Sequence, residues 1–129
     1  RAENKPILID FTGVNCANCR LMERRVLPQP AVADLLKKFV TVQLYTAPTV
    51  PINSITAAQR EALAEANSER QIDLTNDNTN PFYVVLSPDG QLVATKGGYR
   101  EPEVFVSFLN EALGKIGGDR KVAQAGTGR

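Results

Sequence analysis

Lys5-Pro-Ile-Leu-Ile-Asp-Phe-Thr-Gly-Val-Asn-Cys-Ala-Asn-Cys-Arg20 is the stretch whose reading decides the fold. Ile7 to Phe11 is apolar apart from Asp10, the pattern of a central strand covered on both faces. Thr12 to Asn15 are small or polar and turn the chain. A helical pattern then starts at Cys16 and runs to about Leu27, with Leu21, Met22 and Val26 at helical spacing. The chain holds only two cysteines, Cys16 and Cys19, and both lie at this strand-to-helix junction. That placement points to a dithiol that cycles between oxidised and reduced forms.

The spacing has a physical reason. Two intervening residues at a helix start let the sulfurs reach bonding distance without large backbone strain. The first helical turn also has unpaired N–H groups and a partial positive charge, which favour a thiolate. Thiol pKa values in such motifs fall into roughly the 3.5–7.5 range, against about 8.5 for a free thiol. Cys16, at the helix edge, reads as the attacking nucleophile, and Cys19, one turn in, as the resolving thiol. The alternative is a structural disulfide, which would close a tiny loop and constrain the unfolded chain little. Asp10 is a carboxylate inside an apolar strand. Burial would raise its pKa and make it a proton acceptor for Cys19. A hydrogen-bonded or solvated Asp at a pleat edge is the other reading. Arg20 reads as a surface cation, with added positive potential beside the thiolate as the alternative.

Composition excludes several chemistries. With 129 residues, 43% apolar and 22% charged, the chain suits one soluble globular domain with a proper core. A formal charge of +1 carries no nucleic-acid or membrane-surface signal. No apolar run approaches the roughly 20 residues of a membrane-spanning helix. The absence of histidine removes Ser-His and Cys-His pairs and any haem attachment after the second cysteine, where Arg20 stands. Two thiols without imidazole fall short of a structural zinc set. No metal and no cofactor is expected.

Beyond the first helix, Pro28 and Pro30 interrupt the pattern, and Val32, Leu35, Leu36 and Phe39 continue it. Residues 39–46 alternate and are rich in β-branched residues, giving a second strand. Residues 47–56 are a loop. Thr56 and Gln59 form a capping-box pattern ahead of a surface helix over 57–70, with Leu63 and a few alanines on a narrow buried stripe. Residues 73–80 read as a polar loop. Pro81 opens a third strand over 82–86, Ser87-Pro88-Asp89-Gly90 turns it, and 91–96 returns as the fourth. A last helix over about 101–114 ends at Gly114, a natural cap. Residues 117–129 read as a flexible tail. This order predicts an α/β fold: a four-stranded mixed sheet with helices on both faces. The first strand is expected at the centre, with parallel right-handed crossovers to the second and third.

This order, with Cys-x-x-Cys after the first strand, resembles the thioredoxin-like superfamily over about residues 5–114, and implies a thioredoxin-like domain over 1–116. Asp10 matches the family's buried aspartate behind the dithiol. Pro81 matches its cis-proline, and Gly98 a glycine close to the dithiol. The opening 5–12, the Cys19-Arg20-Leu21-Met22-Glu23 run and the Leu27-Pro28-Gln29-Pro30-Ala31-Val32 segment look like the C-terminal thioredoxin-like domain of DsbD-type thiol:disulfide interchange proteins. There Glu23 matches an acidic residue near the dithiol. Asn15 stands where the family usually has Trp, and Asn80 where it has an apolar residue or Thr. Segment 47–80 is longer than in a small thioredoxin.

The resemblance implies a protein-disulfide reductase with Cys16, Cys19, Asp10 and Glu23 as catalytic residues. Asn80, Pro81 and Gly98 would bind an extended substrate segment, with the Asn80 backbone facing the dithiol. The implied partners are disulfide-bearing proteins and an upstream electron donor, a membrane domain of the same full-length protein among the candidates, and no nucleic acid. The expected location is periplasmic or otherwise extracytoplasmic, membrane-tethered in the full-length protein, since the lead-in before the first strand reads as the start of an excised piece. A cytosolic thioredoxin and a redox-silent thioredoxin-like binding module remain the alternatives.

Overall fold

The computed structural model describes residues 4–126, with side chains through residue 117. The elements are β1 (Ile7–Thr12), α1 (Ala17–Leu21) continuing into a π-helical stretch (Met22–Val26), α2 (Pro30–Leu36), β2 (Val40–Tyr45), α3 (Ala57–Thr75), β3 (Phe82–Leu86), β4 (Leu92–Gly97) and α4 (Pro102–Gly126). The sheet order is β2-β1-β3-β4. β1 is central, as its apolar run requires, and pairs with β2 in parallel.

The third strand departs from expectation. β3 runs antiparallel to β1, with Phe82 opposite Phe11 and Leu86 opposite Ile7. The long connection leaves the sheet at Tyr45, level with Thr12, and re-enters at Phe82, level with Phe11. It returns the chain to the end it left from, so β3 must run back along β1. Among the described residues only the β1–β2 link is a parallel crossover.

Alternation along β1 and β3 splits the core in two. On one face Leu8, Tyr83 and Val85 meet Met22, Val26, Val32, Phe105, Phe108 and Leu109 from the π stretch, α2 and α4. The Tyr83 and Phe105 rings pack edge to face with centroids 4.8 Å apart. On the other face Ile9, Phe11, Phe82 and Val84 form a smaller cluster, flanked by Leu74 of α3.

α3 begins where the capping box predicts. Thr56 Oγ1 accepts from the Gln59 N–H at 3.1 Å, and the Thr56 N–H donates to Gln59 Oε1 at 2.9 Å. The helix continues five residues past 70, into the expected polar loop, and stops at Asn76, whose φ of 56° is left-handed. Its buried stripe is Ala64, Asn67 and Gln71, while Leu63 is exposed. The expected apolar stripe is thus a small-and-amide stripe.

α4 passes through Gly114 rather than ending there. Ile116, two residues further on, is buried in the main core, which offsets the roughly 1 kcal/mol a helical glycine costs. The expected tail therefore starts on helical backbone as far as Gly126, and residues 127–129 lie outside the described residues.

Candidate active site

Cys16 and Cys19 are joined as a disulfide, with Cα atoms 5.2 Å apart. Cys16 caps α1: its backbone is extended, and its Sγ accepts from the Cys19 N–H at 3.1 Å. The turn before it is closed by the Cys16 N–H on the Gly13 carbonyl at 3.3 Å. Cys16 is partly exposed, whereas Cys19 is buried. In the reduced form, the N–H that now meets Cys16 Sγ is placed to hold a thiolate there.

The helix expected over 16–27 changes pitch after Leu21. The Leu27 N–H donates to the Met22 carbonyl, five residues back. Met22 and Val26 both point into the core, and Met22 Sδ accepts from the Arg100 N–H at 3.5 Å. Glu23 is left half-exposed, where it meets Gln43 and Arg20 and its carboxylate acts electrostatically on Asp10.

Asp10 is only 6% exposed, and burial, reinforced by the Glu23 carboxylate, pushes its pKa from 3.8 up to about 7. Gln43 and Arg20 oppose that rise. Asp10 Oδ1 makes no hydrogen bond. Glu23 Oε2 accepts from Gln43 Nε2 at 3.3 Å and pairs with Arg20 at 3.2 Å. Tyr83 lies opposite Asp10 in the register, and burial pushes its phenol well above the ordinary tyrosine range. Its hydroxyl is therefore neutral at any working pH.

Arg20 is more than a surface cation. Its Nη2 donates to Thr12 Oγ1 at 3.0 Å and to the Gly13 carbonyl at 3.2 Å. Its guanidinium carbon lies 5.9 Å from the Tyr45 ring centroid. The side chain ties the end of β1 to the dithiol helix.

The peptide bond between Asn80 and Pro81 is cis. Gly98, at φ +82°, donates its N–H to the Pro81 carbonyl at 2.8 Å. A Cβ on the preceding Gly97 would lie 2.8 Å from the Phe82 ring, so β4 needs glycine there to approach β3. Pro81 and Gly98 therefore sit side by side. Asn80 joins the cysteine loop: a Cβ on Gly13 would lie 3.4 Å from the Asn80 amide and 3.7 Å from Cys16 Cβ.

The Asn80 amide turns inward. Its oxygen accepts from the Thr46 hydroxyl at 2.6 Å, and the two hydrogens of its nitrogen are shared among Thr79 O, Phe11 O and Gln71 Oε1, which lie within donating reach at 3.1, 3.3 and 3.2 Å. The reverse orientation would set its oxygen against acceptors. Gln71, from α3, donates to Thr79 O at 2.7 Å, and Asn67 donates to Tyr45 O at 2.8 Å. The Thr46 N–H donates to Thr12 O at 2.8 Å.

The structure thus brings Asp10 and Glu23 together, places Asn80 beside the Cys16 loop, and sets Pro81 against Gly98. Sequence reasoning missed Gln43, Thr46 and Gln71, and read Arg20 chiefly as a surface cation. The usable signal was the spacing of Ala64, Asn67 and Gln71, which share one helix face that the sheet must cover. Among the described residues no group of three or more Cys, Asp or Glu is placed to hold a metal ion.

Residues 1–113 match the thioredoxin-like domain family. The chain belongs to that family. Among solved structures, a thioredoxin from Thermus thermophilus is 20% identical, with a TM-score of 0.65 over 95% of this chain and 84% of that one. A DsbH oxidoreductase is 19% identical, with a TM-score of 0.62 over 87% and 74%. The oxidised DsbD C-terminal domain of Neisseria meningitidis is 17% identical, with a TM-score of 0.58 over 84% and 80%. The fold is thioredoxin-like, and DsbD domains are among its structural neighbours. A search of curated protein sequences returned no match. No helix among the described residues is long and apolar enough to cross a membrane.

Proposed function

We propose that this thioredoxin-like protein is a thiol:disulfide reductase that passes electrons to disulfides of extracytoplasmic proteins. The observation that carries the proposal is the dithiol itself: a helix-capping, partly exposed Cys16 bonded to a buried Cys19.

In the reduced form the Cys16 thiolate attacks one sulfur of a substrate disulfide, and the other sulfur leaves as a thiolate. Cys19 gives its proton to Asp10, whose raised pKa of about 7 suits it to take and return one near neutrality. Cys19 then attacks Cys16 Sγ and expels the second substrate thiolate. Two electrons have moved to the substrate, and the protein is left in the disulfide form seen here. A dithiol donor reverses these steps to reload it. Glu23 adds negative charge beside Asp10, and the Asn80–Pro81 segment with Gly98 offers backbone to an extended substrate.

Extracytoplasmic work is supported by the likeness to DsbD domains and to SoxS of Paracoccus pantotrophus, which is described as a periplasmic thioredoxin. The test is trapping. A Cys19→Ser variant should accumulate a mixed disulfide with a protein substrate through Cys16, and a Cys16→Ser variant should lose reductase activity. Full reductase activity in Cys16→Ser would refute the proposal.

A further inference from the structure

The segment 47–80, long for a small thioredoxin, places α3 against the sheet with an unusual face. Gln71 is 1% exposed and Asn67 is 9% exposed, where leucines would ordinarily stand. Burying amides costs stability unless they are fully bonded. Gln71 is bonded at both ends: its nitrogen donates to Thr79 O, and its oxygen accepts from the Asn80 amide. Asn67 reaches the carbonyl of Tyr45, next to Thr46. Both amides therefore end on the two short segments beside the cysteine loop.

Those segments are also tied to each other and to the loop. The Thr46 hydroxyl meets the Asn80 amide at 2.6 Å, and the Thr46 N–H holds the Thr12 carbonyl, one residue before Gly13. The residues just before Pro81 are fixed locally as well: the Thr79 N–H donates to Asp77 Oδ1 at 2.7 Å, and the Asp77 N–H to Thr75 Oγ1 at 3.1 Å. A chain of buried polar contacts thus runs from α3 through Asn80 and Thr46 to the start of the Cys16 loop.

We propose that Gln71 and Thr46 are positioning residues that hold the Asn80–Pro81 wall at a fixed spacing from Cys16, so that α3 governs the docking of protein disulfides. This rests on the reading of the dithiol as a reductase. A protein substrate uses both the sulfur of Cys16 and the backbone beside Pro81. A small aromatic disulfide uses the sulfur alone. Loosening the wall must therefore slow the first and spare the second.

The experiment measures the second-order rate at which the reduced full chain reduces insulin and 5,5′-dithiobis(2-nitrobenzoate). Gln71→Met removes the amide at nearly constant length, and Thr46→Val replaces the hydroxyl with a methyl. Each should slow insulin reduction about tenfold, the order expected from losing a buried hydrogen bond, and leave the small disulfide within about twofold. Thr56→Ala, which weakens α3 at its far end, should not separate the two substrates. Should Gln71→Met fail to fold, Thr46→Val decides the matter. If the rates fall together, or neither falls, the positioning role is overturned while the reductase reading stands. A parent protein inert toward both disulfides overturns that reading and the positioning role with it.

Discussion

The two faces of the sheet are built on opposite principles. The face under α1, α2 and α4 is a dry, aromatic core centred on Tyr83, Phe105 and Phe108. The face under α3 has a small apolar patch, and at the dithiol end it gives way to the buried amides and hydroxyl of Asn67, Gln71 and Thr46 and the half-buried Asn80. Apolar burial is strong and non-directional, so it stabilises without fixing single atoms. Hydrogen bonds add little net stability but are directional and costly to leave unmade. One face supplies stability, and the other sets geometry around the cysteines.

The sharpest way to break this contrast is Phe105→Ala, on the dry face. It should cost about 3–5 kcal/mol in denaturant unfolding. The exchange rate per folded molecule should stay near that of the parent. A variant equally stable but slow would show that the dry face also tunes the site.

Asp10→Asn probes the boundary between the two principles. The pKa of Asp10 is raised on folding, from 3.8 to about 7. Below about pH 4 the folded and unfolded chains both hold the proton, and Asp10 makes no difference. Between about pH 4 and 7 only the unfolded chain releases it, so the carboxylate increasingly opposes folding, with the full cost above 7. The Asn variant should therefore be more stable than the parent by roughly 2–4 kcal/mol at pH 8 and nearly equal to it at pH 3.5. It should also exchange disulfides more slowly, having lost the proton acceptor proposed for Cys19. Unfolding curves at the two pH values check the first point, and stopped-flow exchange checks the second.

The smallest effect is expected at the start of α3. Thr56→Ala removes the capping box and should cost about 1 kcal/mol of stability with disulfide exchange unchanged. A marked loss of exchange rate would mean that the whole of α3, rather than its Asn67–Gln71 stripe, sets the site.

Much of this was legible in the sequence because the signals were local. The apolar run Ile7–Phe11, the two cysteines and the Thr56–Gln59 box each act within one turn or one strand, and each is where the residues placed it. What the sequence could not show was decided at long range. The direction of β3 depends on where a long connection returns to the sheet. The end of α4 depends on Ile116 finding the core beyond Gly114. The role of Gln71 depends on Thr79 and Asn80, residues that only the loop after Asn76 brings back to it. Arg20 was misjudged for the same reason, since Thr12 and Gly13 are its partners only once the loop has folded.

The central claim is that Cys16 and Cys19 form a reducing dithiol. Two acidic groups, Asp10 and Glu23, lie together here, and Glu23 stands one helical turn beyond Cys19. Negative charge at that point disfavours a resident thiolate, and stabilising the reduced form is what makes a dithiol an oxidant. The most direct measurement is the reduction potential of the pair at pH 7, by equilibration in dithiothreitol buffers of known poise. The account predicts a value near that of thioredoxin, about −270 mV. A value near about −120 mV, that of a strong oxidant, or a pair that never titrates, would contradict it.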